Sequence, residues 1–201
     1  MLSLVHDSKE LPRAVLPDPE RAALAALDRR SHEEALGVLM REYGSAVYRY
    51  CRQMVKDEDL AQEIHQTTFV QAYEGLPKFA RRSSLRTWLF GIARHRCLDA
   101  AKMTNRRKKR FGTLEEAPEM PEPSGSMEER LAERSRNRAL EDCLKSLAPR
   151  VRTAILLRFQ QGLSYPDIAR ISGENAPALQ VRVARALPVL RRCLEEKGMA
   201  P

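Results

Sequence analysis

Residues 162–187 read GLSYPDIARISGENAPALQVRVARAL and have the layout of a helix-turn-helix. Ser164 is placed to cap a short first helix, Gly173 supplies the turn, and Asn175 is placed to cap a longer second helix. Four apolar residues are expected to form the contact that sets the angle between the helices: Ile168, Ala169, Leu179 and Val183. The pattern favours a DNA-binding unit, and an αα-hairpin packed into a core is the alternative that it leaves open.

The rest of the chain shows the same helical spacing of apolar residues, while the signals of β-structure are nearly absent. Only 5% of the residues are aromatic, and no Asn-Gly hairpin turn occurs. We therefore predict an all-α fold. Four helices are expected in the first half of the chain: one over about 19–29, a second beginning at 31, a third from 57 or 59 to 75, and a fourth from 83 or 84 to 102. Four more are expected in the second half, over 128–147, 149–160 and 164–171 and from 175 onward. Pro188 is expected to kink or end the last helix at about Leu187.

In the second predicted helix, Glu34 follows Ser31 by three positions, as in a capping box. One side of this helix carries the apolar and aromatic residues Leu36, Leu39, Met40, Tyr43, Val47 and Tyr50. We expect this side to face the core, because residues three and four positions apart share one face of a helix.

Charge is distributed unevenly along the chain. The formal net charge is +8, yet residues 81–110 alone hold eleven basic residues against one acidic residue, Asp99. Between Thr113 and Glu129 the chain instead has six glutamates, three prolines and no basic residue. The basic segment indicates an anionic partner, and the acidic segment is typical of an extended linker. We therefore predict two small helical domains joined by an acidic flexible linker. The first helical domain is predicted over 18–111 and the helix-turn-helix domain over 128–197. The linker occupies 112–127, and residues 1–17 form a mobile N-terminal arm.

Several classes of protein are disfavoured by what the sequence lacks. It has no apolar run long enough to span a membrane and no secretory signal at its start, so we expect a cytoplasmic protein. Its four cysteines are widely spaced and form no C-x-x-C pair, so we expect reduced thiols, no disulfide framework, no metal and no cofactor. An enzyme is the least favoured class, because no phosphate-binding glycine loop, H-E-x-x-H motif or nucleophile with its base is found.

The basic segment begins with a loop and a helix that combine cations with aromatic residues. Residues 78–84 mix an aromatic ring, cations and hydroxyls, a combination that stacks on and hydrogen-bonds to unpaired bases. In the helix that follows, the residues expected on the packed face are Leu85, Trp88, Leu89 and Ile92. Arg86 and Arg94 lie largely on the other face, which predicts a packed helix with a basic outer surface.

Two long stretches resemble one family. Residues 57–102, DEDLAQEIHQTTFVQAYEGLPKFARRSSLRTWLFGIARHRCLDAAK, and residues 139–173, ALEDCLKSLAPRVRTAILLRFQQGLSYPDIARISG, are similar to bacterial sigma factors of the extracytoplasmic-function (ECF) type. These are the smallest members of the sigma-70 class and keep only its second and fourth conserved regions. The two stretches occur in the expected order, with a linker between them.

The resemblance implies a transcription initiation factor that binds core RNA polymerase, recognises the minus-ten and minus-thirty-five promoter elements and promotes strand opening, with no catalytic residue. It also implies docking on the polymerase β flap, an acidic linker that occupies a nucleic-acid channel by mimicry, and an anti-sigma factor as a further partner. The positions that match the surface for the β′ clamp helices are Asp59, Leu60, Glu63, Ile64 and Gln66.

The resemblance places two sets of residues near promoter DNA. The set for the minus-ten element is Phe79, Arg81, Arg82, Ser83, Ser84, Arg86, Arg94 and His95. The set for the minus-thirty-five element, on the helix-turn-helix, is Ser164, Tyr165, Gln180, Arg182 and Arg185. For any single arginine in the second set, a phosphate contact is favoured over a base contact.

The chain departs from the family pattern at several positions. Thr67 replaces a customary glutamate and His65 an apolar residue, which predicts an altered affinity for polymerase. His65 is interpreted as an exposed polar side chain. Residues 176–181, APALQV, contain no basic residue where a polar, lysine-containing start is usual, and His95 stands where the family often has asparagine. An imidazole and an amide offer different hydrogen-bonding groups, so His95 is expected to alter minus-ten preference.

Two other functions stay open at this point. A sigma-like decoy would sequester an anti-sigma factor without directing transcription. The departures from the family pattern are the reason for considering this alternative. A stand-alone helix-turn-helix regulator would bind duplex DNA tightly without polymerase.

Overall fold

The structure is a computed structural model. It describes residues 19–55, 57–111 and 127–199, with side chains described over 19–55, 57–103 and 135–199. The arm predicted over 1–17 and nearly all of the linker predicted over 112–127 lie outside the described residues.

The described residues form helices and turns and include no β-strand, which confirms the all-α prediction. The N-terminal unit consists of α1 (Pro19–Asp28), α2 (His32–Val55), α3 (Glu58–Gly75), a short 3-10 turn (Leu76–Lys78) and α4 (Leu85–Phe111). The C-terminal unit consists of α5 (Met127–Ser146), α6 (Pro149–Ile155), a wider π-helical turn (Leu156–Gln160), α7 (Tyr165–Ser172) and α8 (Ala176–Glu196). None of the described helices combines the length and the apolarity that crossing a bilayer requires.

Side chains cap three helices at or next to the predicted starts. The Asp57 carboxylate accepts a hydrogen bond from the backbone N–H of Leu60 at 2.9 Å. Ser84 Oγ accepts one from Thr87 N at 2.9 Å, and Ser164 Oγ accepts one from Asp167 N at 3.2 Å. Each bond satisfies a donor in the first turn that has no partner within the helix.

Asn175 lies immediately before α8, as predicted, and has the extended backbone of a capping residue. Its side chain nevertheless makes no capping hydrogen bond, so the predicted capping role is wrong. Pro177 at the start of α8 has no N–H and removes one of the donors that a cap would satisfy.

Helix α4 is longer than predicted, because it continues past Lys102 to Phe111 and includes the basic run 106–110. Arginine and lysine are good helix formers, and neither glycine nor proline interrupts the chain between Ile92 and Phe111. The basic run therefore extends a helix that was predicted to end at Lys102.

Pro188 lies inside α8 and does not end it, so of the two predicted effects, a kink or an end at about Leu187, the end is wrong. A proline removes one helical hydrogen bond, and other contacts must hold the residues beyond it. Here those contacts come from α5: Cys193 forms a disulfide with Cys143, and Lys197 Nζ lies 2.9 Å from Asp142 Oδ2.

The disulfide contradicts the expectation of four reduced thiols. Cys143 and Cys193 are 50 residues apart in sequence, and the packing of α5 on α8 brings their Cα atoms to 5.8 Å. Their spacing in the sequence carries no sign of this proximity. Cys51 and Cys97 are free and buried, as expected of reduced thiols.

The core of the N-terminal unit lies between α2, α3 and α4. Tyr50 and Phe90 are fully buried and meet edge to face with their ring centroids 5.9 Å apart. Met40, predicted on the packed side of α2, is instead 48% exposed. It follows Leu39 directly and points about 100° away from it, beyond the face that the neighbouring helices cover.

Arg152 of α6 joins the two units. Its side chain is only 5% exposed, and its guanidinium donates to the carbonyls of Leu144, Lys145 and Leu147 at the end of α5. It also donates to Met54 O near the end of α2 at 2.9 Å. Burial lowers the pKa of Arg152 below its ordinary value. Carbonyls at helix C-termini carry partial negative charge, so one cation here stabilises two helix ends and the contact between the units.

Candidate nucleic-acid and partner surfaces

The loop that leads into α4 pairs the aromatic rings of Phe79 and Trp88. Their centroids are 5.2 Å apart, with 50° between the ring planes, and both side chains are half-buried. Trp88 was expected on the packed face of its helix, and it lies at the edge of the core, where its ring packs against the ring of Phe79. A partly exposed ring held in place in this way is available to stack on a base.

Arg81 and Arg82 follow Phe79 and are exposed. Arg81 has a left-handed backbone with φ of 54° and forms an ion pair with Asp28 at the end of α1. Both partners are more than half exposed, so water screens the pair and its contribution to stability is small. Arg81 is thus held in place and can exchange the carboxylate for another anion.

Ser83 and Ser84 are half-buried at the start of α4. The hydroxyl of Ser84 caps the helix and donates to Thr87 Oγ1 at 2.8 Å. Glu20 of α1 accepts a hydrogen bond from Leu85 N at 2.6 Å. Helix α1 therefore fixes the first turn of α4 and the loop before it.

Arg86 and Arg94 face the C-terminal unit. Arg86 Nη2 donates to the carbonyl of Gln161, and the Arg86 guanidinium lies 6.0 Å from the ring centroid of Tyr43. Arg94 Nη1 donates to Ile171 O at 3.5 Å. The Nε of each arginine is buried without a hydrogen-bond partner among the described residues.

His95 lies one residue beyond Arg94 and is exposed, with its Nε2 3.1 Å from Asp99 Oδ2. Lys102 Nζ lies 3.0 Å from the other oxygen of that carboxylate. The hydrogen bond from Lys102 holds the pKa of Asp99 below its ordinary value. The ionised Asp99 thereby orients His95 on the exposed face of α4.

Helix α3 carries all five residues predicted to bind polymerase. Asp59, Glu63 and Gln66 are exposed and Leu60 is half-buried, but Ile64 is only 5% exposed and packs in the core. Ile64 therefore does not belong to the surface, and its assignment is corrected. The core takes Ile64 because Ala61, Thr68 and the other buried residues of α3 lie on the same face.

Two exposed apolar residues on α3 were missed. Val70 is 57% exposed and Tyr73 is 41% exposed. They continue the alternating spacing of four and three residues that begins with Asp59, Glu63 and Gln66. This spacing was readable in the sequence, since it places all five residues on one face. We call Asp59, Glu63, Gln66, Val70 and Tyr73 the α3 stripe.

His65 is not an exposed polar side chain, and its interpretation as one is wrong. Its ring is half-buried between α2 and α3, edge-on to Tyr48 and Phe69 with centroid distances of 5.8 and 5.1 Å. Burial lowers the pKa of His65, which favours the neutral ring, and Nε2–H donates to Gly44 O at 3.1 Å. An imidazole thus takes the place of an apolar side chain by packing its ring and satisfying its N–H.

The helix-turn-helix forms as predicted. Ile168, Leu179 and Val183 are buried between α7 and α8, Ala169 is half-buried beside them, and Gly173 turns the chain with φ of 67°. Of the residues predicted to contact DNA, Ser164, Gln180 and Arg185 are exposed. Tyr165 is half-buried under the guanidinium of Arg158, and Arg182 is half-buried and paired with Glu174.

No group of three or more histidine, cysteine, aspartate or glutamate side chains within the described part of the chain is arranged to hold a metal ion.

Gly75 controls the position of Trp88. A Cβ at Gly75 would lie 2.8 Å from Trp88 Cζ2, so Gly75→Ala is expected to push the indole outward and disturb its contact with Phe79. Trp88 is the single tryptophan of the chain, and we expect its fluorescence emission to shift to longer wavelength as water reaches the ring. Gly37→Ala is the matched control, because the added Cβ there meets only the tip of Arg41 at 3.4 Å. Equal spectra for both variants would contradict the prediction.

Comparison with known proteins agrees with the resemblance. The Sigma-70 region 2 model matches residues 39–107, and the Sigma-70 region 4 model matches residues 137–187. ECF RNA polymerase sigma factor SigC of Mycobacterium tuberculosis is 30% identical over 180 residues, which cover 86% of this chain and 90% of SigC. ECF RNA polymerase sigma factor BldN of Streptomyces coelicolor is 31% identical over 164 residues, 81% of this chain but only 61% of BldN.

Solved structures show the same fold. CnrH, in complex with the cytosolic domain of CnrY, is 25% identical with a TM-score of 0.65, covering 89% of this chain and 99% of CnrH. Sigma factor RpoE of Bartonella quintana, in complex with the anti-sigma factor NepR, is 24% identical with a TM-score of 0.64, covering 78% of this chain and 94% of RpoE. The two region models and the identity to SigC show that the chain belongs to the ECF sigma factors of the sigma-70 family, non-enzymatic transcription initiation factors that bind core RNA polymerase and promoter DNA.

Proposed function

We propose that this chain is a dissociable promoter-specificity subunit that binds core polymerase through the α3 stripe. The loop 79–84 and α4 engage the minus-ten element, and α7 and α8 engage the minus-thirty-five element. One observation carries the proposal: a loop with a supported aromatic ring and exposed cations lies on the same chain as a helix-turn-helix. The domain limits 18–111 and 128–197 and a cytoplasmic location, where polymerase works, are part of this proposal.

At the minus-ten element, the rings of Phe79 and Trp88 would take an unpaired base, while Arg81 and Arg82 contact the strand's phosphates. Unstacking a base costs a few kcal/mol, and its capture offsets part of that cost without a catalytic residue or ATP. His95, oriented by Asp99, lies one residue from Arg94 and would contribute to base preference.

Arg86 and Arg94, which are proposed to contact DNA, bind the C-terminal unit in this structure. Both donate to carbonyls of the C-terminal unit, so their contact with a DNA strand requires the units to move apart. The arrangement described here would then be the DNA-free one. RpoE was solved in complex with the anti-sigma factor NepR and CnrH in complex with the cytosolic domain of CnrY, which supports an anti-sigma factor as a partner of this chain too.

The decisive test is run-off transcription from genomic fragments with purified core polymerase. We expect start sites that share an upstream motif, and transcripts that depend on added protein. Val70→Glu should lower the transcript at least tenfold by placing a charge in the α3 stripe, whereas Met40→Glu, an equally drastic change at an exposed site on α2, should not. A folded protein that yields no promoter-dependent transcript would contradict the proposal and favour a decoy that binds an anti-sigma factor without directing transcription. Tight duplex binding without polymerase would favour a stand-alone regulator.

A further inference from the structure

The outward face of α8 is unusually apolar at its N-terminal end. Leu179 and Val183 are buried against α7, and Val181, between them in sequence, points to the opposite side and is 49% exposed. Pro177 and Ala184, four residues before and three after Val181, are exposed on that same side. A helix that presents its first two turns to the major groove would therefore present aliphatic carbon there.

Aliphatic side chains read DNA in one way. They cannot hydrogen-bond, but they can pack against the C5-methyl group of thymine, which no other base carries in the major groove. Gln180, exposed beside Val181, has the amide that pairs with N6 and N7 of adenine. Arg182, the nearest arginine and the residue type that reads guanine, is half-buried and bonded to Glu174. These side chains together favour A·T pairs.

Charge indicates that DNA, rather than an apolar protein surface, covers this face. Residues 176–194 include four arginines and no acidic residue. Arg185 and Arg192 are exposed and would attract phosphates irrespective of sequence. A groove of about 660 Å³ lies beside Val181, lined also by Leu147, Val151 and Val189, and a protein helix seated there is the competing occupant.

We infer that Val181 is a specificity-determining residue that packs against a thymine methyl group in the minus-thirty-five element. This inference rests on the proposed function and deepens it, because it names a base and an atom that α8 recognises.

Uracil, which is thymine without the methyl group, gives the sharpest test. Holoenzyme assembled from core polymerase and the full chain is bound to a duplex promoter found by run-off mapping, with each minus-thirty-five thymine replaced in turn by uracil. At one position the unmodified protein should bind the uracil probe about three- to fivefold more weakly, the effect of losing one buried methyl group. Val181→Ser and Val181→Ala should bind the thymine and uracil probes equally at that position.

Arg185→Ala is the control. Losing a phosphate contact should weaken binding to all probes alike and keep the thymine-to-uracil ratio of the unmodified protein. The inference is overturned if no uracil substitution weakens binding, or if Val181→Ser and Val181→Ala keep the full ratio. In both cases promoter-dependent transcription by the unmodified protein would leave the proposed function intact. Run-off transcripts whose start sites share no upstream motif would instead refute the proposed function itself. An unchanged ratio in Val181→Ser would leave the groove beside Val181 to the competing occupant, a protein helix.

Discussion

Arg152→Ala is expected to lower the free energy of unfolding by about 3 kcal/mol or more. The guanidinium donates to four carbonyls in a site that is 5% exposed, and truncation leaves them without that donor. Each buried polar group that loses its partner costs about 1–3 kcal/mol, and water entering the space recovers part of that cost. The midpoint of urea unfolding, followed by far-UV circular dichroism, measures the loss.

The same helix supplies the control for this prediction. Arg150 lies two residues from Arg152 on α6 and is exposed, so Arg150→Ala should change stability by no more than about 0.5 kcal/mol. Arg152→Lys should fall between the two, since an ammonium keeps the charge but cannot reach carbonyls in several directions as a planar guanidinium does. If Arg152→Ala and Arg150→Ala unfold at the same urea concentration, Arg152 does not hold the helix ends together.

Cys143→Ser is expected to destabilise the C-terminal unit by about 2–4 kcal/mol. The bond to Cys193 spans 50 residues and holds the part of α8 beyond Pro188 against α5. Closing a loop of that length reduces the entropy of the unfolded chain by an amount worth about 4 kcal/mol in the chain-entropy description, and measured effects are commonly smaller. Thermal unfolding with and without a reductant checks this.

Reduction should lower the melting temperature of the unmodified chain and leave that of Cys143→Ser unchanged. Thiol titration in denaturant gives an independent check, because Cys51 and Cys97 are the free cysteines and two thiols should react before reduction and four after it. Four reactive thiols without reductant would show that the bond does not form.

Helix starts and turns were predicted well where they depend on residues that are close together in the sequence. Asp57, Ser84 and Ser164 were placed at or next to their helix starts because a capping side chain satisfies donors three residues away. Gly173 was placed in the turn of the helix-turn-helix for a similar reason, since its positive φ suits glycine. Ile168, Leu179 and Val183 followed from helical spacing alone.

The errors arise where distant parts of the chain meet. Ile64 was assigned to a binding surface and lies in the core, and Met40 was assigned to the core and is exposed, because helical spacing gives a face but not which neighbour covers it. His65 was interpreted as exposed because its acceptor, Gly44 O, lies 21 residues earlier in the chain.

The helical character of this chain, the concentration of its basic residues over 81–110, the helix-turn-helix and the order of an ECF sigma factor could all be predicted from the sequence. These properties depend on residues that are neighbours or lie one turn apart. Three features depend on tertiary packing: Cys143 pairs with Cys193, Arg152 joins the ends of α2 and α5, and Arg86 and Arg94 face the C-terminal unit. Each of these contacts joins helices far apart in the chain, so it is fixed by how the helices pack and not by the spacing of residues along any one of them.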